Sequence, residues 1–317
     1  MPDHTAPPVI AQWLATALGG DAPQDARRLG WGFSNETWDV TTVHGRRLAV
    51  TRFAHPARAA PTARLMAAVA PRLAAVGVPV PQLVSVDGAG SGILTTTFIE
   101  GATGASLLGA AGGPVLVGRL MGALWRQLRM VDAEGLPLAT TPAAPGVLAA
   151  SAEATLARLA ASLPGLDVRR LSDSIRTVPA LLKGRPSGFV HGDFVPANVL
   201  VREGAVVALL DFEAARLGDP LFDAAWFRWI VGYHHPEAAA AAWDAFRAAA
   251  EIDATDPVVR ELLRILPVVE LLERLDATTA ARETEHWLAM LRRTGPTETS
   301  FPSGGERKYG PTGSDPV

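Results

Sequence analysis

Between Phe189 and Trp226 the chain reads FVHGDFVPANVLVREGAVVALLDFEAARLGDPLFDAAW. Three of its polar residues, Asp193, Asn198 and Asp211, stand at spacings that can assemble a metal-dependent reaction centre. Two apolar runs rich in β-branched residues, Val199-Leu200-Val201 and Ala205 to Leu210, flank Glu203-Gly204. That is the signature of a hairpin with a two-residue turn. Such a turn sets Asn198 opposite Leu209 and Asp211 just beyond, within diagonal-neighbour reach of roughly 7–8 Å. Asp193 enters from the loop before the hairpin. Three oxygen-bearing side chains in a chain with no cysteine suit a hard cation. Mg2+ fits best, because it keeps waters and takes its remaining ligands from phosphates.

An Asp, four residues, an Asn, and a second Asp closing the next strand is also the catalytic-loop order of kinases. Here it reads H-G-D-F-V-P-A-N, followed by D-F-E. Protein kinases carry H-R-D and D-F-G at these places. The glycine after His191, the acidic Glu213 and the trailing G-D-P-L-F-D-A-A-W (Gly218 to Trp226) resemble instead the aminoglycoside phosphotransferase and choline kinase-like family. The resemblance implies an α+β, two-lobed protein kinase-like fold, with a small antiparallel β-sheet lobe and then a mostly helical lobe. It implies ATP or GTP as co-substrate, Mg2+ as cofactor, and transfer of the γ-phosphoryl group to a hydroxyl of a small molecule. Candidate acceptors are an aminoglycoside or other antibiotic, an amino alcohol or a sugar. Carried over residue by residue, Asp193 orients the acceptor hydroxyl and takes its proton, while Asn198 and Asp211 hold Mg2+. Glu213 is placed to help through water, and His191 to brace the loop. Asp219 and Asp223 are expected to hydrogen-bond that loop from a helix start, where acidic residues are favoured; plain capping is the alternative for Asp219. Trp226, Trp229 and Tyr233 can box a cation or simply fill a core.

The elements that must position these groups follow. Val9 to Leu18 has helical spacing and stops at Gly19-Gly20. Arg27 to Val43 reads as two strands around Gly30-Trp31-Gly32-Phe33-Ser34-Asn35, a loop that can lay backbone N–H groups over phosphates. Ser34 and Asn35 match a Ser-Asn pair of the resembled family and are the expected nucleotide contacts there. A second hairpin turns at His44-Gly45 into a strand on which alternation puts Leu48, Val50 and Arg52 on one face. Kinases place a phosphate-gripping lysine on this strand. The first lysine of this chain is Lys183, so either Arg52, which stands at the matching position and can bind phosphate bidentately, takes that role or the role is absent. The usual glutamate partner is missing, since no Asp or Glu lies between Val50 and Val86. Pro61 to Val76 follows as a helix, with Pro71 expected to kink or split it. Strands from Gln82 to Asp87 and Gly92 to Phe98 lead to Ile99-Glu100-Gly101. By resemblance this is the hinge, where the backbones of Thr97 and Ile99 hydrogen-bond adenine.

Beyond Ser106 the pattern is helical: Val115 to Val131, Ser151 to Leu163, Leu171 to Leu182, Phe222 to Val231, Glu237 to Ala250, Pro257 to Thr279 and Ala280 to Arg293. Residues 132–150 read as a loop. The expected organisation is a nucleotide-binding lobe over 1–98, a helical catalytic and substrate lobe over 99–294, and a disordered tail over 295–317 rich in Gly, Pro, Ser and Thr. At 48% hydrophobic and 19% charged residues the composition is that of a globular protein. A net charge of −3 and a pI near 6.2 leave no footprint for nucleic acid or an acidic membrane surface. No run approaches the roughly 20 apolar residues of a membrane helix, and no signal peptide is visible, so a cytoplasmic protein is expected. The alternative function is a kinase-fold protein that binds a nucleotide or metabolite with little catalysis. The missing lysine and glutamate favour it; the intact Asp193, Asn198 and Asp211 oppose it.

Overall fold

The structure, a computed structural model, describes residues 6–29, 35–87, 90–138, 144–163, 166–278 and 281–293. The glycine-rich loop at 30–34, with Ser34, and the stretch 295–317 lie outside these residues.

Helix α1 (Pro8–Ala17) leads into strands β1 (Pro23–Leu29), β2 (Asn35–Thr42) and β3 (Arg47–Phe53), helix α2 (Ala59–Ala75), and strands β4 (Leu83–Val86) and β5 (Ile93–Thr97). The strands form one antiparallel sheet in the order β1-β2-β3-β5-β4. Alternation gives this sheet two apolar faces. Trp38, Val40, Leu48, Val50 and Ile93 pack beneath Ile10 and Leu14 of α1, while Phe53 and Leu94 pack beneath Ala59 and Ala63 of α2. A ten-residue helix such as α1 is marginal alone in water, and these buried contacts are what hold it. Helix α2 runs through Pro71 without splitting. The ring costs one backbone hydrogen bond, but Val69 and Leu73 on either side are buried. Both belong, with Val78, to the main core of the large lobe, so α2 is shared between the two lobes.

The large lobe begins with β6 (Ala102–Thr103), α3 (Gly104–Leu107) and α4 (Gly113–Leu128). Helix α5 (Pro145–Leu159) starts within the stretch that reads as a loop, because Pro145 occupies its first turn, where proline's missing N–H costs nothing. Next come α6 (Val168–Leu182), β7 (Gly188–Val190), β8 (Val199–Arg202), β9 (Ala205–Leu209) and β10 (Arg216–Gly218). Helices α7 (Leu221–His234), α8 (Pro236–Ala250), α9 (Pro257–Ala277) and α10 (Ala281–Arg292) complete it. Strands β6-β8-β9 form one small sheet, and β10-β7 pair as another. Helices α4 and α8 pack closely because Gly118 and Gly122 leave room for the carbonyls of Ala242 and Phe246. Helices α7 and α9 then form the wall on which the loop after β7 rests.

Candidate active site

The hairpin forms at the expected turn. Glu203 and Gly204 both have positive φ, 53° and 75°, the type I′ geometry that matches strand twist. Its register differs from the one expected. Arg202 faces Ala205 and Val201 faces Val206, but Leu200 then faces Ala208 and Val199 faces Leu209. One extra residue in β9 makes a bulge and moves the pairing by one place. The Asn198 carbonyl consequently accepts the N–H of Leu210 at 2.8 Å, so Asn198 lies across from Leu210 and not from Leu209. The bulge brings Asn198 one residue closer to Asp211. Asp211 itself has φ 61°, a conformation that Asp tolerates when its side chain bonds locally. Here its carboxylate accepts the backbone N–H of Glu213.

Asp193 is fixed from several directions. Its loop turns at Gly192 (φ 81°), where any Cβ would run into the Ala214 carbonyl. The buried Asp223 carboxylate accepts the N–H of His191 at 2.8 Å and that of Gly192 at 2.9 Å. Asp219, by contrast, caps α7 by accepting the Leu221 N–H at 2.9 Å and pairs with Arg185. His191 is fully buried. One ring nitrogen, Nε2, donates to the Leu210 carbonyl (2.9 Å), and the other, Nδ1, accepts the Asp193 N–H (3.3 Å). This tautomer is neutral, and His191 ties the loop to the end of β9. The Asp193 carboxylate accepts Asn198 Nδ2 on one oxygen at 2.9 Å. Its other oxygen accepts Trp226 Nε1 at 3.1 Å and the Arg274 guanidinium at 3.0 Å. Arg274 stacks over the Trp226 ring at 4.6 Å, bonds the Gly192 carbonyl at 2.8 Å and pairs with Glu270 at 2.8 Å. The Asn198 amide nitrogen also bonds the Asp193 carbonyl at 2.9 Å. Its donor end is thus spent on Asp193, and its oxygen is left as an acceptor.

The electrostatics of this corner are unbalanced. Asp211 opens onto solvent, yet protein crowds it from most sides. That enclosure, with the charges of Glu213 and Asp193, pushes its carboxyl up to about 7. Burial likewise raises Glu213, against the pull of Arg58 and a hydrogen bond from Asn35. Arg58 stands 3.5 Å from Glu213, and the Glu213 Oε2 atom is buried without a hydrogen bond. Burial pushes His191 down to about 4, as a neutral bracing ring requires, and raises Asp223 to about 7 against its two N–H donors. Excess negative charge and all-oxygen donors fit a hard cation. Among the described residues no group of three or more His, Asp or Glu side chains is placed to hold a metal unaided.

The structure brings Asp193 and Asn198 into contact, sets Asp211 near Asp193, and brings Asn35 of the small lobe to Glu213. It does not bring Arg52 to them. Residues directly opposed in a sheet share a face. Arg52 opposes Glu36 and Ile93, whereas Thr51 opposes Thr37 and Leu94. Ile93 lies under α1 and Leu94 under α2, so Arg52 is on the α1 face, 3.8 Å from Glu36. The cleft-side residue is Thr51, bonded to Thr37 at 3.1 Å. Alternation groups Arg52 correctly with Leu48 and Val50; that group turns away from the cleft. At the expected hinge the Thr97 N–H is already spent on the Gln82 carbonyl, 2.9 Å. The Ile99 backbone makes no hydrogen bond among the described residues. Three contributors escaped the sequence reading: Arg274, Arg58, and Trp226 as an Asp193 donor. None carries a spacing signal.

The sequence model of the phosphotransferase enzyme family matches residues 25–262. No curated protein matches the chain. Among solved structures, the apoenzyme of the macrolide 2'-phosphotransferase MphH from Brachybacterium faecium superposes with a TM-score of 0.61 at 21% identity, over 89% of this chain and 97% of that one. A thermostable mutant of aminoglycoside phosphotransferase APH(4)-Ia, in ternary complex with AMP-PNP and hygromycin B, gives a TM-score of 0.66 at 15% identity, over 90% and 98%. The streptomycin-ATP-APH(2")-IIa ternary complex gives 0.61 at 13% identity, over 90% and 96%. At these identities the likeness is one of fold, the two-lobed kinase-like arrangement of β-sheet lobe and helical lobe. The family match runs from β1 into α9 and takes in the whole Asp193 centre except Arg274: the chain belongs to the phosphotransferase enzyme family.

Proposed function

We propose that the protein transfers the γ-phosphoryl group of ATP or GTP, with Mg2+, to a hydroxyl of a small molecule. The observation that carries this is the Asp193 carboxylate. Asn198, Trp226 and Arg274 hold it in one orientation, beside the ligand oxygens of Asn198 and Asp211. Asp193 receives the acceptor hydroxyl as a hydrogen-bond donor, aligns it, and takes its proton as the new O–P bond forms. Asn198 Oδ1 and Asp211 would hold Mg2+, which when bound neutralises charge on the phosphates. The rest is positioning. Ser34 and Asn35 are proposed phosphate contacts, and the hinge backbone at Thr97 and Ile99 is proposed to meet the base, the spare Ile99 groups serving it best. Complexes of fold relatives with ATP and AMP-PNP support a nucleotide. Relatives named for macrolides, streptomycin and hygromycin B support a polyhydroxylated natural product as acceptor. No described helix is long and apolar enough to cross a membrane, and we place the activity in the cytoplasm, where nucleotide and Mg2+ are at hand.

Calorimetry with ATP and with GTP, in the presence and absence of Mg2+, tests this reading. Wild type is expected to bind one of them in the micromolar to low-millimolar range, and Asp211→Ala to lose the Mg2+-dependent part. In an acceptor screen for ADP or GDP release, Asp193→Ala should keep nucleotide affinity and lose roughly 10^2–10^4-fold in transfer. No binding of either nucleotide by folded protein refutes the proposal. A second reading, a binding protein with little catalysis, draws on Thr51 at the cleft position of β3. It predicts nucleotide binding with no acceptor turnover above the Asp193→Ala level.

A further inference from the structure

The geometry points to Arg58, in the short turn between β3 and α2, as the small-lobe cation that receives the nucleotide phosphates. The inference rests on the phosphotransferase reading above and deepens it.

The position expected to supply this charge cannot do so. Thr51 occupies the cleft side of β3, and Arg52 is on the α1 face with Glu36, which Arg28 also reaches at 2.9 Å. Two further arginines of the sheet, Arg27 and Arg47, share the cleft side but are spent on Asp39, at 3.2 Å and 2.9 Å. Arg47 is also stacked on Phe98 at the hinge. Arg58 differs from all four. It projects from the small lobe to within 3.5 Å of Glu213, two residues beyond Asp211. That distance is ion-pair range without a hydrogen bond, and Glu213 Oε2 has no hydrogen bond at all. Among the described residues, Arg58 donates no side-chain hydrogen bond, and the side chain is 51% exposed. A guanidinium with five donors in a planar fork matches phosphate oxygens. This one is poised over the acidic corner where a Mg2+-bound polyphosphate would lie.

Titration with Mg2+·ATP, and with whichever of ATP or GTP wild type prefers, is set against titration with the bare nucleoside. Arg58→Ala is expected to weaken nucleotide affinity roughly 10- to 100-fold, to leave nucleoside affinity unchanged, and to be largely rescued by Arg58→Lys. Arg52→Ala is expected to change neither. The inference is overturned if Arg52→Ala carries the loss and Arg58→Ala does not, or if Arg58→Ala weakens nucleotide and nucleoside alike. Failure of wild type to bind any nucleotide overturns the phosphotransferase reading instead, and is recognised without any variant.

Discussion

His191 is one of the residues that fix the Asp193 loop, and its two ring nitrogens make its part measurable. Nδ1 must stay unprotonated to accept the Asp193 N–H, and burial holds the ring down to about 4 against an ordinary value of 6.5. A histidine lowered in this way contributes stability that is present in full above pH 6.5 and is lost as the pH falls from there through 4. Over the whole window the loss is about 3 kcal/mol. Urea unfolding at pH 7.5 and at pH 4.5 should therefore show a smaller acid-induced loss in His191→Gln than in wild type, whatever its stability at pH 7.5. Equal losses would show that the ring does not resist protonation. At this scale the sequence was legible where function needs residues close in the chain. Asp193, Asn198 and Asp211 lie on one hairpin and the loop that leads into it, so their order alone groups them. Trp226 and Arg274 reach the same carboxylate from 33 and 81 residues away. A tryptophan on a helix and an arginine on a glutamate-rich one read as core and solvated face until the fold closes.

Elements follow the hydrophobic periods well, and departures come where period alone is silent. The turn at Glu203-Gly204 has a residue signature, but the bulge in β9 has none, because Ala205 to Leu209 is apolar throughout. The two faces of β3 are evident from alternation, while the face that meets the cleft depends on which helix lies over it. Prolines misled in both directions: Pro145 starts a helix, and Pro71 sits inside one. Contact between α4 and α8 is the element-level feature most open to test. A Cβ at Gly122 would meet the Phe246 carbonyl and Ala249, whereas Gly109 faces open space. Gly122→Ala should cost about 1–3 kcal/mol by forcing the helices apart. Gly109→Ala should stay within about 0.5 kcal/mol. Chemical denaturation measures both, and a neutral Gly122→Ala would mean that the pair has slack.

At the scale of the molecule, a two-lobed arrangement was legible because a strand-rich first third gives way to continuous helical spacing. How the lobes are joined was not. Residues of α2 look like part of the small lobe by position, yet Leu73 is fully buried in the large-lobe core, while Leu14 of α1 lies in the small-lobe cluster. Leu73→Ala should cost about 2–5 kcal/mol and lower amide protection in β3 and α9 together. Leu14→Ala should loosen the small-lobe sheet alone. Hydrogen exchange resolves the two patterns, and an effect of Leu73→Ala confined to one lobe would separate the lobes as folding units.

Across the cleft, the carboxylate of Glu213 already holds Asn35 and draws Arg58. An empty protein so built carries its own competitor. An anion that seats on Arg58 shares the guanidinium with a resident carboxylate, so the affinity an experiment records is net of that ion pair. The resident is tethered and never diffuses away, and it remains beside the cation when the visitor leaves.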